Sequence, residues 1–150
     1  MSSLQAAKAA VLSFRTRFET FELTDMRQAA EAHCDPQFLW RGVHPFLEIN
    51  GYDGVIDDFW RPLSRAFSNL QRREDIFFAG SNNASGGNGE WVCSMGHFCG
   101  LFDEDFLSIP RSGRLANLRY AEFFRVEDGQ LCEGALFVDM IGLMDDAGCY

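Results

Sequence analysis

Three residues of types that move protons fall where one sheet face would gather them. Asp128-Gly129 is a strong tight-turn signal, because a type I′ turn needs positive φ at both central positions. With Glu127 paired to Gln130, Val126 sits opposite Leu131, Phe124 opposite Glu133 and Glu122 opposite Ala135. Tyr120 then meets Phe137, and Leu118 meets Asp139. This shared face is apolar apart from Glu122, Glu133 and Asp139. An apolar surround raises a carboxyl pKa towards working pH, the property a general acid or base needs. His97, at the centre of the run Trp91 to Phe102, would come from the neighbouring strand. It is the natural bridge between Glu122 and Asp139, which roughly 3.3 Å per residue puts on the order of 13 Å apart.

Each of these residues also has a plainer reading. Asp139 ends a strand and could cap the helix that follows. Glu122 could be an ordinary surface residue, and His97 a satisfied core histidine. Glu133 lies near the turn, close to solvent. Trp40, Trp60 and Tyr120 are candidate walls for a flat apolar ligand, or core. His44, held extended by Pro45, lines the pocket mouth or ends its strand.

The elements that must position these groups follow from periodicity. Leu4, Val11, Phe14, Phe18 and Phe21 recur at helical spacing, giving a first helix over 4–21. A second runs from Thr24 or Asp25 to His33-Cys34, ahead of Asp35-Pro36. Phe38 to Gly42 reads as a short strand, and 44–50 has no clear period. A third helix over 52–69 should be kinked or divided by Pro62. Strands are expected near 75–80, 90–102, 115–126 and 131–139, as an antiparallel meander with a closing helix from Asp139. The tract 81–89 reads as a flexible hairpin tip. Phe106 to Pro110 either lids a pocket or packs under the meander. Helices segregated to one side of such a sheet define an α+β domain.

Composition narrows the function classes. With 150 residues and 47% apolar content, the chain can bury the core of one domain. Fifteen Phe and three Trp point to an aromatic core or cavity. A net charge of −9 argues against nucleic acid and against an anionic membrane surface. Five cysteines without a CxxC pair or zinc spacing read as reduced thiols in a cytoplasm. No signal peptide, membrane span, metal motif, phosphate loop or dinucleotide fingerprint is expected, so no cofactor is implied.

Several stretches carry a family resemblance. They are Leu107-Ser108-Ile109-Pro110-Arg111-Ser112-Gly113-Arg114, then Arg125-Val126-Glu127-Asp128-Gly129-Gln130-Leu131-Cys132-Glu133, then Asp139 and Leu143 to Gly148. Together with Trp40 to Phe46, Phe59-Trp60 and Trp91 to Gly100, they resemble the SnoaL-like polyketide cyclases. That group belongs to the nuclear transport factor 2-like, or ketosteroid isomerase-like, superfamily. The resemblance implies a cone with a pocket between the concave sheet face and the helices. It also implies a small apolar or aromatic ligand, and a cofactor-free enzyme of lyase or isomerase type in which an Asp near 139 is the acid/base of an aldol ring closure. The superfamily commonly pairs through the outer sheet face, so a homodimer is expected there, with Ala121, Phe123, Leu136 and Val138 supplying apolar area. The alternatives are a non-catalytic ligand-binding module and a dimerisation scaffold, since one fold hosts many functions.

Overall fold

The structure, a computed structural model, describes residues 2–82 and 89–149. The expected hairpin tip falls largely on 83–88, outside the described residues. Helix α1 (Ser3–Phe18) opens on Ser2, whose hydroxyl accepts the Gln5 amide, and α2 is Leu23–His33. Strands β1 (Cys34–Gly42) and β2 (Glu48–Asn50) follow. The third helical segment is divided into α3 (Tyr52–Val55), a wide π turn (Ile56–Trp60) and α4 (Arg61–Ala66). Pro62 sits in the first turn of α4, where its missing N–H costs least. Strands β3 (Phe67–Ser81), β4 (Glu90–Phe102), β5 (Leu115–Glu127) and β6 (Gln130–Val138) form the meander, and α5 (Met140–Asp146) closes the chain.

The six strands lie in the order β2-β1-β6-β5-β4-β3. All pairings are antiparallel except β1 with β6, which is parallel. The expected meander of four antiparallel strands is formed, and β1, arriving from α2, extends it by running parallel to the last strand. The curved, unclosed sheet carries α1, α2 and the third helical segment against one face, as an α+β domain of the nuclear transport factor 2-like kind.

Two features of the meander depart from simple alternation, and both bear on the site. The first is a bulge in β6. Val126 pairs with Leu131 as expected, but Arg125 pairs with Glu133, leaving Cys132 as the extra residue. From there every β6 side chain is on the face opposite to the expected one. Leu136 and Val138 are buried inside, while Glu133 and Phe137 face outward.

The second is that β3 begins at Phe67, well before the expected residue 75, and carries irregularities between Ser68 and Gln71 and between Glu74 and Ile76. Asn69 takes a left-handed φ of 55° at the first. These breaks bend β3 across the concave face. Gly96 makes the bend possible: a Cβ there would run into the Arg73 carbonyl.

The core between sheet and helices is aromatic. Phe14 and Phe18 of α1 meet Tyr52 edge-on at 5.5 and 5.7 Å. Trp60 meets Phe18 at 5.4 Å and Phe98 at 5.3 Å, and Phe98 stacks on Tyr120 at 4.5 Å. Phe106 and Ile109 bridge to each other and are buried, so this loop packs under the meander.

Candidate functional site

Among all this apolar packing, β3, β4, β5 and α1 together bury a cluster of charged and hydroxyl groups. Period-two alternation turns Tyr120 and Glu122 of β5 inward, with Ser94 of β4 directly opposite Glu122. The bent β3 brings Arg72 and Glu74 over the same face. Arg72 Nη2 donates to Glu122 Oε1 at 2.8 Å, and its Nε donates to Glu19 Oε2, at the end of α1, at 2.7 Å. The side chains of Arg72 and Glu122 are only 6% and 3% exposed.

The Arg72 guanidinium also lies 5.0 Å from the Phe98 ring centre and 4.8 Å from that of Tyr120. Burial works against its charged form, but the Glu122 and Glu19 carboxylates outweigh this and raise its pKa further. Arg72 is thus a permanent cation inside the fold.

Ser94 links the pair to a second carboxylate. Its hydroxyl donates to Glu74 Oε2 at 2.5 Å, so its single proton is committed. Ser94 Oγ therefore accepts from the Tyr120 hydroxyl at 2.7 Å and from Arg72 Nη1 at 3.3 Å. Burial raises the Tyr120 pKa, with Arg72 and the Ser94 contact opposing it only in part. The phenol accordingly holds its proton at neutral pH. Arg15 donates from Nη2 to Glu74 at 2.7 Å, and its buried Nη1 has no hydrogen-bond partner among the described residues.

The expected site residues divide between the two sheet faces. Glu122 and Tyr120 are inside. His97 lies outward, pairing in register with Arg73 and Arg119, with Nδ1 3.8 Å from Asp75. Asp139 is exposed and caps α5, accepting the Gly142 amide at 2.8 Å. His97 and Asp139 share an outer depression of about 460 Å³ with Asp75, Arg119 and Phe137. The expected common cavity of Glu122, His97 and Asp139 is therefore not formed. The β6 bulge explains Asp139 and Glu133. For His97 the reason is register: Ser94, not His97, stands opposite Glu122.

Glu133 belongs to an outer ion cluster with Arg41 and Arg125. Burial would raise its pKa, yet the hydrogen bonds from these arginines hold it below the usual carboxylate range. Trp40 and Trp60 are each 1% exposed. Trp40 packs on Phe46 and Phe59, and Trp60 donates to the Tyr52 hydroxyl at 3.2 Å. His44 is exposed in the β1–β2 loop. Among the described residues, no three His, Cys, Asp or Glu side chains gather as a metal set would require.

Arg72, Glu74 and Ser94 were missed by sequence reasoning. The tract Gln71 to Asp75 looks like a polar loop, and its one signal is the alternation Leu70, Arg72, Glu74 feeding into the later strand.

Similarity to known proteins agrees with the fold. A protein from Jannaschia sp. CCS1, proposed to be a SnoaL-like polyketide cyclase, superposes with a TM-score of 0.76 at 21% identity, over 100% of this chain and 97% of that one. AclR from Streptomyces galilaeus, a proposed hydroxylase, gives 0.75 at 18% identity, over 99% and 88%. TsrD from Streptomyces laurentii gives 0.72 at 17%, over 100% and 99%. No curated protein matches. The family profile described as SnoaL-like polyketide cyclase matches residues 13–147, and the chain belongs to that family.

Proposed function

We propose that the chain is a cofactor-free ring-closing enzyme whose reactive centre is the interior Glu122–Arg72–Tyr120 cluster. The observation that carries this reading is the Glu122–Arg72 pair, almost fully withdrawn from water beside a protonated phenol. Burying two such charges costs several kcal/mol per ion before their attraction is counted. A buried, paired carboxylate facing a phenol is therefore a candidate for chemistry.

The substrate class is a flexible apolar polycarbonyl compound. Glu122 takes a proton from a carbon flanked by two carbonyls. The enolate carbon then bonds to a distant carbonyl carbon, whose π electrons move to its oxygen. That oxygen takes the Tyr120 proton, while the Arg72 cation offsets the negative charge as it develops. The proton on Glu122 passes to water when product leaves. His97 and Asp139, on the other face, take no part.

The test is to incubate the protein with a linear aryl ester carrying two β-ketone groups and follow ring closure by chromatography. Closure well above the buffer rate, with Glu122→Gln reducing it by about 100-fold or more, is the expected result. A wild-type rate equal to buffer would reject the enzyme reading.

A second reading, a dimerisation scaffold of the same fold, is favoured by one observation: Trp40, Phe59, Trp60 and Phe98 fill the interior with at most 1% exposure. A dimeric protein would then leave the ester unchanged.

We also propose a homodimer through the outer sheet face. Its apolar area comes from Ile76, Phe78 and Phe137, at 48%, 50% and 52% exposure, together with Phe123 and Ala135. Leu136 and Val138, expected there, point inward. The five cysteines are free, which fits a reducing compartment such as the cytoplasm. Among the described residues, no helix is long and apolar enough to cross a membrane.

A further inference from the structure

The geometry points to a proton relay from solvent to the centre of the fold, running Glu74–Ser94–Tyr120. Each link is a made hydrogen bond: Tyr120 to Ser94 at 2.7 Å and Ser94 to Glu74 at 2.5 Å. The inner end, Tyr120, is 3% exposed, and so is Ser94. The outer end reaches water, since the Glu74 side chain is 27% exposed.

Direction is built in. Ser94 can donate only one proton, and the Glu74 carboxylate has it, so the phenol proton points along the chain. Arg72, donating to Ser94 Oγ at 3.3 Å, keeps that oxygen in line without supplying a proton, because a guanidinium does not deprotonate. In the outward stroke, the Tyr120 O–H bond breaks as one forms at Ser94 Oγ. The former Ser94 proton bonds to Glu74, which gives it to water. The reverse stroke reloads the phenol from water by the same bonds.

Tyr52 is the internal control. It is equally buried, and its oxygen accepts from Trp60. Resting on the function proposed above, the relay's task is to restore the proton that Tyr120 gives to the new alcohol.

The relay can be tested without any substrate. The full chain, labelled with carbon-13 at the tyrosine Cζ, is studied by NMR in mixed light and heavy water. Slow hydroxyl exchange splits the Cζ line, and fast exchange averages it. Tyr52 should be split and Tyr120 averaged. Ser94→Ala and, independently, Glu74→Gln should slow Tyr120 exchange by about 100-fold, the lower end of what a placed proton-transfer group contributes. Ser94→Thr should restore it. A split Tyr120 line in the wild type, or an averaged one in a folded Ser94→Ala or Glu74→Gln protein, would overturn the relay. Either result would leave the ring-closure reading standing. Loss of ring closure with normal Tyr120 exchange would remove that reading alone.

Discussion

Arg72 and Glu122 are 50 positions apart in the chain and 2.8 Å apart in the interior. The contact ties the outermost long strand of the meander to β5, two strands in, across the Ser94 hydroxyl of β4 between them. Because neither charge meets water, each depends on the other. Removing one partner leaves an uncompensated buried charge, which typically costs about 3–5 kcal/mol. Arg72→Met should therefore destabilise the protein by about that amount in urea unfolding. The double variant Arg72→Met/Glu122→Leu should recover much of the loss, since apolar replacement of a whole buried pair is often neutral. A small effect of the single variant would mean that water reaches the pair.

Gly96 should tolerate no side chain. A Cβ would meet backbone, the Arg73 carbonyl, which cannot swing aside as a side-chain tip would. Gly96→Ala should cost about 1–3 kcal/mol, the usual range for overpacking, read as a lowered melting temperature. It should also shift β3 and loosen Arg72, seen as faster amide exchange in residues 70–75.

Acid should weaken the outer cluster of Glu133 with Arg41 and Arg125. The folded-state pKa of Glu133 is depressed by these hydrogen bonds. Its contribution is then fully present above the ordinary carboxylate pKa and is lost as pH falls through the lower folded value. Unfolding free energy measured from neutral pH downwards should fall less steeply in Glu133→Gln than in the wild type. Parallel curves would count against the assignment.

Asp139 behaves as a helix cap. Asp139→Ala should cost about 1 kcal/mol, and Asp139→Asn only a few tenths, because asparagine caps equally well. Thermal melts of the two variants would show it, and equal losses would contradict it.

The outer face gives an assembly prediction. Three large side chains at about half exposure on one sheet face seldom stay bare on a monomer. Sedimentation should show a dimer at micromolar concentration. Phe137→Glu should yield a folded monomer, and a monomeric wild type would dismiss the proposed interface.

Much of this architecture was legible in the residues, and the failures have local causes. The Asp128-Gly129 turn announced the hairpin, and alternation around it put Tyr120, Glu122 and Phe124 on the inner face correctly. One extra residue, Cys132, then inverted the rest of β6, and nothing in the pattern of Cys132-Glu133-Gly134 marks a bulge. The simple register therefore put Asp139 and Glu133 on the inner face, where the bulge does not leave them. Arg72 stayed hidden because β3 is bent twice and its turns are polar, so the alternation that reveals other strands is broken where it matters. The parallel junction of β1 with β6 is non-local and leaves no turn signal at all.

In the proposed enzyme, reactivity belongs to the interior face and not to the outer one. Ring closure of the linear aryl ester, measured for Glu122→Gln, His97→Gln and Asp139→Asn side by side in proteins shown to be folded, tests it most directly. A loss of about 100-fold or more for Glu122→Gln, with near wild-type rates for the other two, is the expected result. A retained rate in Glu122→Gln, with activity lost in His97→Gln or Asp139→Asn, would contradict it.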